Sequence, residues 1–314
     1  MIESKLWLVG AGSMSQEYAK VLSALNLSFE VIGRGNVSAD AFELKVKHNV
    51  IRGGLELALR ENEAPKIAIV AVAVEHLADI ISKLILAGTK RILLEKPGAL
   101  NYDELYNLNK LAIKNKADVL IAYNRRFYHS VQQARDRIAE DGGLLSMSFD
   151  FTEWSHKIAP LQKGAGVKQK WVIGNSSHVI DLAFHFGGTP VDWNCWHSGS
   201  LDWHTSAARF CGAGITDKNV MFSYLSDWEA PGRWGLELMT SKRRFILRPM
   251  EILQITQTGS VLIQPVEREN NIDEEFKPGL YKQVSAFLKS DDKLFCKLNQ
   301  QSENMKIYSE IAGY

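Results

Sequence analysis

Leu6-Trp7-Leu8-Val9-Gly10-Ala11-Gly12-Ser13-Met14-Ser15 decides how this chain is read. A short apolar run ends on a glycine, a second glycine follows, and an amphipathic stretch from Met14 to Leu25 begins at once. The run reads as a strand and the stretch after it as a helix. Glycine at 10 allows the tight turn between them. Glycine at 12 lets backbone N–H groups approach a diphosphate at the helix N-terminus. The third position of this fingerprint holds Ser15, small enough for the helix to pack on the strand. An ordinary strand-to-helix turn looks much the same, so the surroundings decide.

Those surroundings repeat the pattern. Phe29 to Ile32 and Val50-Ile51 read as further strands, with a helix through Leu55-Glu56-Leu57-Ala58-Leu59. Lys66 to Val74 (KIAIVAVAV) is apolar on both faces, as a central parallel strand covered on each side must be. A helix from Glu75 to Ala87 closes on Gly88, and strands Arg91 to Leu94 and Val119 to Ala122 flank a helix from Asp103 to Lys114. Strand–helix alternation at this spacing gives parallel βαβ units. Residues 1–122 are therefore expected to form a Rossmann-type, doubly wound parallel sheet that binds a dinucleotide.

Beyond residue 140 the texture changes. Leu144 to Phe151, Val220 to Leu225, Trp234 to Met239 and Arg244 to Leu247 alternate as half-buried strands between turn residues, and Ser177 to Phe186 reads as a helix. Residues 123–314 are expected to form an α+β domain for substrate binding and oligomerisation, with a mostly antiparallel open sheet.

An NAD site usually ends its second strand with an acidic residue for the ribose hydroxyls. Here Glu30 comes too early and the strand runs out through Gly33-Arg34-Gly35. A guanidinium binds a 2′-phosphate that a carboxylate would repel, so NADP(H) is preferred over NAD(H). Arg34 could instead be a solvated loop charge, or stack on adenine in either cofactor.

Bulk properties exclude other classes. The 314 residues are 46% hydrophobic and 23% charged, and 37 Lys plus Arg against 36 Asp plus Glu leave a net charge of +1. Without a basic stripe, nucleic acid and anionic membranes are not expected partners. No apolar run approaches the roughly 20 residues of a membrane span. Met1-Ile2-Glu3-Ser4-Lys5 leads into the first strand without a leader-like apolar stretch. Cys195, Cys211 and Cys296 are widely separated, form no metal-ligand pair and read as buried, inert thiols. A cytoplasmic protein is the expectation.

Further motifs stand in a telling order: GAGSM at 10–14, His76 after KIAIVAVAV, Ala87-Gly88 before a strand and Glu95-Lys96-Pro97 after it. Asn124-Arg125-Arg126-Phe127, His178-Val179-Ile180-Asp181-Leu182 and Lys277-Pro278-Gly279 follow. This set resembles the Gfo/Idh/MocA family, relatives of glucose–fructose oxidoreductase and inositol dehydrogenase. The resemblance implies a Rossmann domain followed by an open-sheet domain, often assembled as a dimer or tetramer. It also implies hydride transfer between a nicotinamide and a secondary alcohol or ketone of a sugar, cyclitol or nucleotide sugar. Cofactor contacts are then expected from Gly10, Ala11, Gly12, Ser13, Met14, Gly33, Arg34, His76, Glu95, Lys96 and Asn124. Glu95 would lie near the nicotinamide ribose and Lys96 near the reacting carbinol, where an ammonium stabilises developing negative charge.

On its own a lone histidine on a helix is most often structural; the resemblance implies that His178 is the general acid/base, a role that suits an imidazole titrating near working pH. His178, Asp181 and His185 share one helical face, yet no further cluster completes a metal site, and no metal is expected. Many relatives carry aspartate four residues before this histidine; here Gly174 stands there, followed by Asn175, which can hydrogen-bond but brings no charge. Asn175 and Asp181 are candidate substrate contacts, and Asp181 could equally orient the helix. Arg125 and Arg126 either hold an anionic substrate group or cap the domain junction. Trp154 and Trp171 are the expected sugar-stacking aromatics, the other tryptophans core. Two alternatives to a dehydrogenase fit the same residues: a non-catalytic cofactor-binding regulator, and an enzyme that retains its cofactor through net non-redox sugar chemistry.

Overall fold

The computed structural model describes residues 6–314. Met1–Lys5, on which the expectation about a leader rests, lie outside the described residues. The chain divides into two compact units, residues through Tyr123 with Glu274–Glu303, and Asn124–Asp273 with Asn304–Tyr314. The single cut after residue 122 thus misses a return of the chain to its first unit.

In the first unit, β1 (Leu6–Val9), β2 (Glu30–Ile32), β3 (Val50–Ile51), β4 (Ile67–Val70), β5 (Arg91–Leu94) and β6 (Asp118–Ile121) lie parallel in the order β3-β2-β1-β4-β5-β6. The order reverses between β1 and β4, which is where doubly wound sheets bind ligands. β1 is buried along its whole length. A seventh strand, Cys296–Lys297, pairs antiparallel on the outer edge of β6. Arg91 secures this returning segment: its guanidinium donates to Phe287 O at 2.9 and 3.1 Å, pairs with Asp292 at 2.6 Å and also meets Asp118.

β4 ends at Val70, four residues before its apolar run does. Ala71 N–H takes the last β1 carbonyl, Val9 O, at 2.8 Å, and β1 then turns away at Gly10. Without a neighbour the ladder stops, and the chain makes a 3₁₀ turn, Val74–His76, before the helix Leu77–Leu86. Gly88, with φ +104°, ends that helix as expected.

In the second unit, β7 (Ser146–Asp150), β8 (Pro190–Ser198), β9 (Arg209–Thr216), β10 (Met221–Asp227), β11 (Gly235–Met239), β12 (Arg243–Leu247), β13 (Gln254–Gln257) and β14 (Gln264–Pro265) form one sheet ordered β14-β13-β12-β11-β7-β10-β9-β8. Only β7 and β10 run parallel; the other pairs are antiparallel. Met147, Phe149, Phe222, Tyr224, Leu236 and Leu238 turn inward. The helix Ser177–Gly187 covers them, Phe184 meeting Phe149 and Phe222 edge-on at 5.7 and 5.2 Å between centroids. The long strands β8 and β9 and the helix His129–Glu140 are additions to the sequence reading.

Among the cysteines only Cys296 is buried; Cys211 is exposed and Cys195 half-buried, correcting the expectation of three buried thiols. No helix among the described residues is long and apolar enough to cross a membrane.

Candidate functional site

In the first unit a cavity of about 430 Å³ opens at the C-terminal ends of β1, β2 and β4, with Gly10, Ala11, Gly12, Arg34 and His76 in its wall. Gly10 has φ +121°, and a Cβ there would fall 2.4 Å from Ala71 O. A Cβ on Gly12 would meet nothing within 4 Å. Gly12 is the extended N-cap of the helix Ser13–Ala24, which has no side-chain cap and no acidic residue in its first turn. Unmatched N–H donors, a positive dipole end and open space suit a phosphate group. Ser15, fully buried, donates to Ala71 O at 3.2 Å and locks the helix against β4.

The end of β2 presents no carboxylate to this cavity. Glu30 accepts from Trp7 Nε1 at 2.6 Å and is not part of the cavity wall. Arg34 lies 3.4 Å from His76 Nε2, so a guanidinium and an imidazole face each other at the rim. Gly33 ties β2 to β3: its N–H bonds Ile51 O at 2.9 Å and its carbonyl accepts from Gly54 at 3.0 Å. Ser13 and Met14 form the first helical turn and are outside the cavity wall. Gly54, Val72 and Asp79, unremarkable in sequence, are in it.

Glu95 and Lys96 follow β5, where the Glu95 N–H still bonds Val70 O at 2.9 Å, and the Lys96–Pro97 peptide is cis. Tyr18, fully buried on the first helix, donates to Glu95 Oε1 at 2.7 Å. Burial pushes the Glu95 carboxyl above its ordinary range, while Tyr18, Lys96 and Lys277 favour its ionised form.

In the second unit His178 is buried in the helix Ser177–Gly187, which is entered through a π-helical turn, Val172–Ser176. That wide turn carries Gly174 and Asn175. Asn175 Nδ2 and Ser176 Oγ both donate at 2.8 Å to Glu153 Oε1, and Arg233 pairs with Glu153 Oε2 at 3.0 Å. Glu153, directly after β7, therefore brings to this helix entrance the carboxylate that Gly174 lacks. Burial raises its pKa against these three partners. Asn175 thus has a structural partner in Glu153.

For Arg126 and Asp181 the geometry agrees with the structural alternatives, a cap on the turn and an anchor for the helix. They form a buried two-pronged ion pair, Nε–Oδ2 at 2.8 Å and Nη2–Oδ1 at 2.6 Å, which joins the 3₁₀ turn Asn124–Phe127 to the His178 helix. Tyr308 Oη also donates to Asp181 Oδ1, at 3.4 Å. Arg125, the neighbouring residue, has its guanidinium 4.6 Å from the Trp234 ring centroid. Trp234 in turn lies 6.1 Å from His178 between centroids. Arg233 lies over the same indole at 4.4 Å and over that of Trp154 at 5.0 Å. Trp154 keeps an exposed face, but Trp171 is 8% exposed and packs edge-on against Trp203, so its face is not open for sugar stacking. Asn124 is buried in this second unit. Among the described residues no cluster of three or more His, Cys, Asp or Glu could hold a metal ion.

Residues 5–123 match the model of an oxidoreductase family with an NAD-binding Rossmann fold, Gfo/Idh/MocA. This domain is a Gfo/Idh/MocA domain. No curated protein matches the chain. Solved structures share its fold over almost the whole length. UDP-N-acetylglucosamine 3-dehydrogenase from Acidithiobacillus ferrooxidans is 14% identical with a TM-score of 0.76, covering 99% of this chain and 97% of that one. Levoglucosan dehydrogenase, solved with NADH and L-sorbose, is 16% identical with a TM-score of 0.77, covering 98% and 95%. An oxidoreductase of Agrobacterium radiobacter, solved with NAD+, L-tartaric acid and magnesium, is 9% identical with a TM-score of 0.76, covering 98% and 94%.

Against the Gfo/Idh/MocA pattern, the residues that sequence reading missed are Tyr18, Glu153 and Arg233. Tyr18 lies within the first helix and could have been noticed as a polar residue on its buried face. Glu153 and Arg233 give no local signal, because they meet only when β7 and β11 pair.

Proposed function

We propose that the chain is an NADP(H)-dependent oxidoreductase acting on a secondary alcohol or ketone of a sugar, cyclitol or nucleotide sugar, with NAD(H) as the second choice. The observation that carries this reading is the uncapped helix start at Gly12, set beside the point where the strand order reverses. Arg34 at the rim, and the engagement of Glu30 with Trp7, support a 2′-phosphate over a free ribose hydroxyl.

Gly10, Ala11, Gly12, Arg34 and His76 would hold the dinucleotide, and Glu95 its nicotinamide ribose. When bound, the nicotinamide accepts or donates the hydride. In this reading Lys96 hydrogen-bonds the substrate oxygen and stabilises charge on it, while His178 takes the hydroxyl proton during oxidation and returns it during reduction. Glu153 fixes Asn175 and Ser176, and with them the turn that presents His178. The sugar dehydrogenases that share the fold support the substrate class.

The test is a screen of sugars, cyclitols and nucleotide sugars for change in nicotinamide absorbance, with NAD and NADP in parallel. Reduction with NADP as the better cofactor, and losses of about 10²- to 10⁴-fold in kcat for Lys96→Met and His178→Asn, are expected. Calorimetry showing that protein stripped of cofactor binds neither dinucleotide would overturn the reading.

A further inference from the structure

Arg125 and Arg126 are adjacent in sequence and opposite in circumstance. Arg126 is buried and its charge is answered by Asp181. Arg125 has a buried Nε without a hydrogen-bond partner, and no carboxylate pairs with its guanidinium among the described residues. Two aromatic rings lie beside it, Trp234 at 4.6 Å and Tyr128 at 5.8 Å to the centroids. The charges of Glu251 and Glu153 reach it only through space, and Arg233 opposes it. Withdrawing a cation from water without an anion beside it is costly, and aromatic faces return only part of that cost. Burial accordingly depresses the Arg125 pKa.

We infer that Arg125 is the anion-binding residue of the substrate site, and that the substrate carries an anionic oxygen group, a carboxylate or a phosphoryl, beside the carbinol. This rests on the proposed function and names the substrate class for it. The place is set by a shared neighbour: the Arg125 guanidinium lies 4.6 Å from the Trp234 ring centroid, and that ring lies 6.1 Å from the His178 ring, so the anionic group sits at the same indole as the proton-handling imidazole. Trp234 itself is buried with an unpartnered Nε1, a further donor in the same spot. Arg233, held by Glu153, contributes a second positive charge over that ring. A guanidinium fork suits both carboxylate and phosphoryl oxygens, and two anions are therefore tested.

D-glucuronate, D-glucose 6-phosphate and D-glucose are titrated into the full chain, read by calorimetry and by tryptophan fluorescence, with wild type and Arg125→Gln compared. One of the two anions is expected to bind at least about tenfold more tightly than glucose, and which one does so identifies the group. Arg125→Gln should erase that preference. It should also raise the melting temperature of the ligand-free protein, because it removes a half-buried charge that no carboxylate answers; an arginine with a structural role would lower it. Sulfate should compete with the preferred anion in wild type, a check that needs no variant. Equal binding of glucose and both anions, no binding of either anion, or an anion preference that survives in Arg125→Gln would overturn the inference. Hydride transfer with neutral sugars alone would overturn it while leaving the proposed oxidoreductase standing; loss of dinucleotide binding would remove the latter instead.

Discussion

Tyr18 and Glu95, one on the helix that follows the glycine turn and one at the end of β5, are joined by a 2.7 Å hydrogen bond from a fully buried hydroxyl. The bond favours the carboxylate against burial, which pushes the other way. Tyr18→Phe should therefore let the Glu95 pKa climb further. Dinucleotide affinity should fall about 3- to 10-fold, the equivalent of one hydrogen bond, and the loss should begin at higher pH than in wild type. Calorimetric titration of the cofactor at several pH values checks this, and an unchanged acid limb would contradict it.

Gly10 and Gly12 separate folding from binding. A Cβ at Gly10 collides with Ala71 O and demands a backbone angle that side chains rarely adopt, whereas a Cβ at Gly12 enters open space. Gly12→Ala should melt within about 1 °C of wild type, as expected for a substitution that strains nothing, while losing at least about tenfold in dinucleotide affinity. Gly10→Ala should lower both. Equal behaviour of the two variants would show that the open space is not where a phosphate goes.

How much of this was legible beforehand follows the range of the interactions. The first unit could be read because each strand is apolar on both faces and each turn is local; the parallel order follows from the spacing alone. β8, reading PVDWNCWHS, escaped because it lies at the sheet edge, where its polar and aromatic residues leave no clean alternation. The returning segment escaped because Cys296–Lys297 has only two residues and is a strand only through its pairing with β6. In the site, the glycine turn, Lys96 and His178 stood out as motifs. The choice between Arg125 and Arg126 could not be made from sequence, since it depends on Asp181 lying within reach of one and not the other.

Breaking the Arg126–Asp181 pair should cost the second unit more stability than replacing both partners. Asp181→Ala takes from the buried Arg126 guanidinium its two-pronged carboxylate partner, at a cost of about 3–5 kcal/mol. The double variant Arg126→Met, Asp181→Leu should recover most of that loss, because two apolar groups of similar size need no partner. Urea denaturation of the three proteins measures both effects, and a double variant no more stable than the single one would refute the compensation.

His185 sets a pH dependence. Burial, reinforced by the positive charges of Arg126, Arg135 and Lys218, holds its pKa well below the usual imidazole value. In the unfolded chain it gains a proton below about pH 6.5, while the folded protein keeps it neutral. Its contribution to stability is therefore lost as pH falls, by about 1.4 kcal/mol per unit below that point. His185→Gln should flatten the difference between denaturation midpoints at pH 7.5 and 5, and parallel curves for the two proteins would rule this out.

The return of residues 274–303 to the first unit, and of 304–314 to the second, has a bearing on biosynthesis. An emerging polypeptide cannot finish one body and then begin the next, because each waits for a stretch translated late. Until the ribosome has passed Cys296, β6 has a bare outer edge, and until it has passed Tyr314, His204 Nε2 is without the phenol it meets at 2.7 Å. Splitting the gene at codon 123 would yield two incomplete fragments; a functional excision of either body would need its distant piece stitched back on.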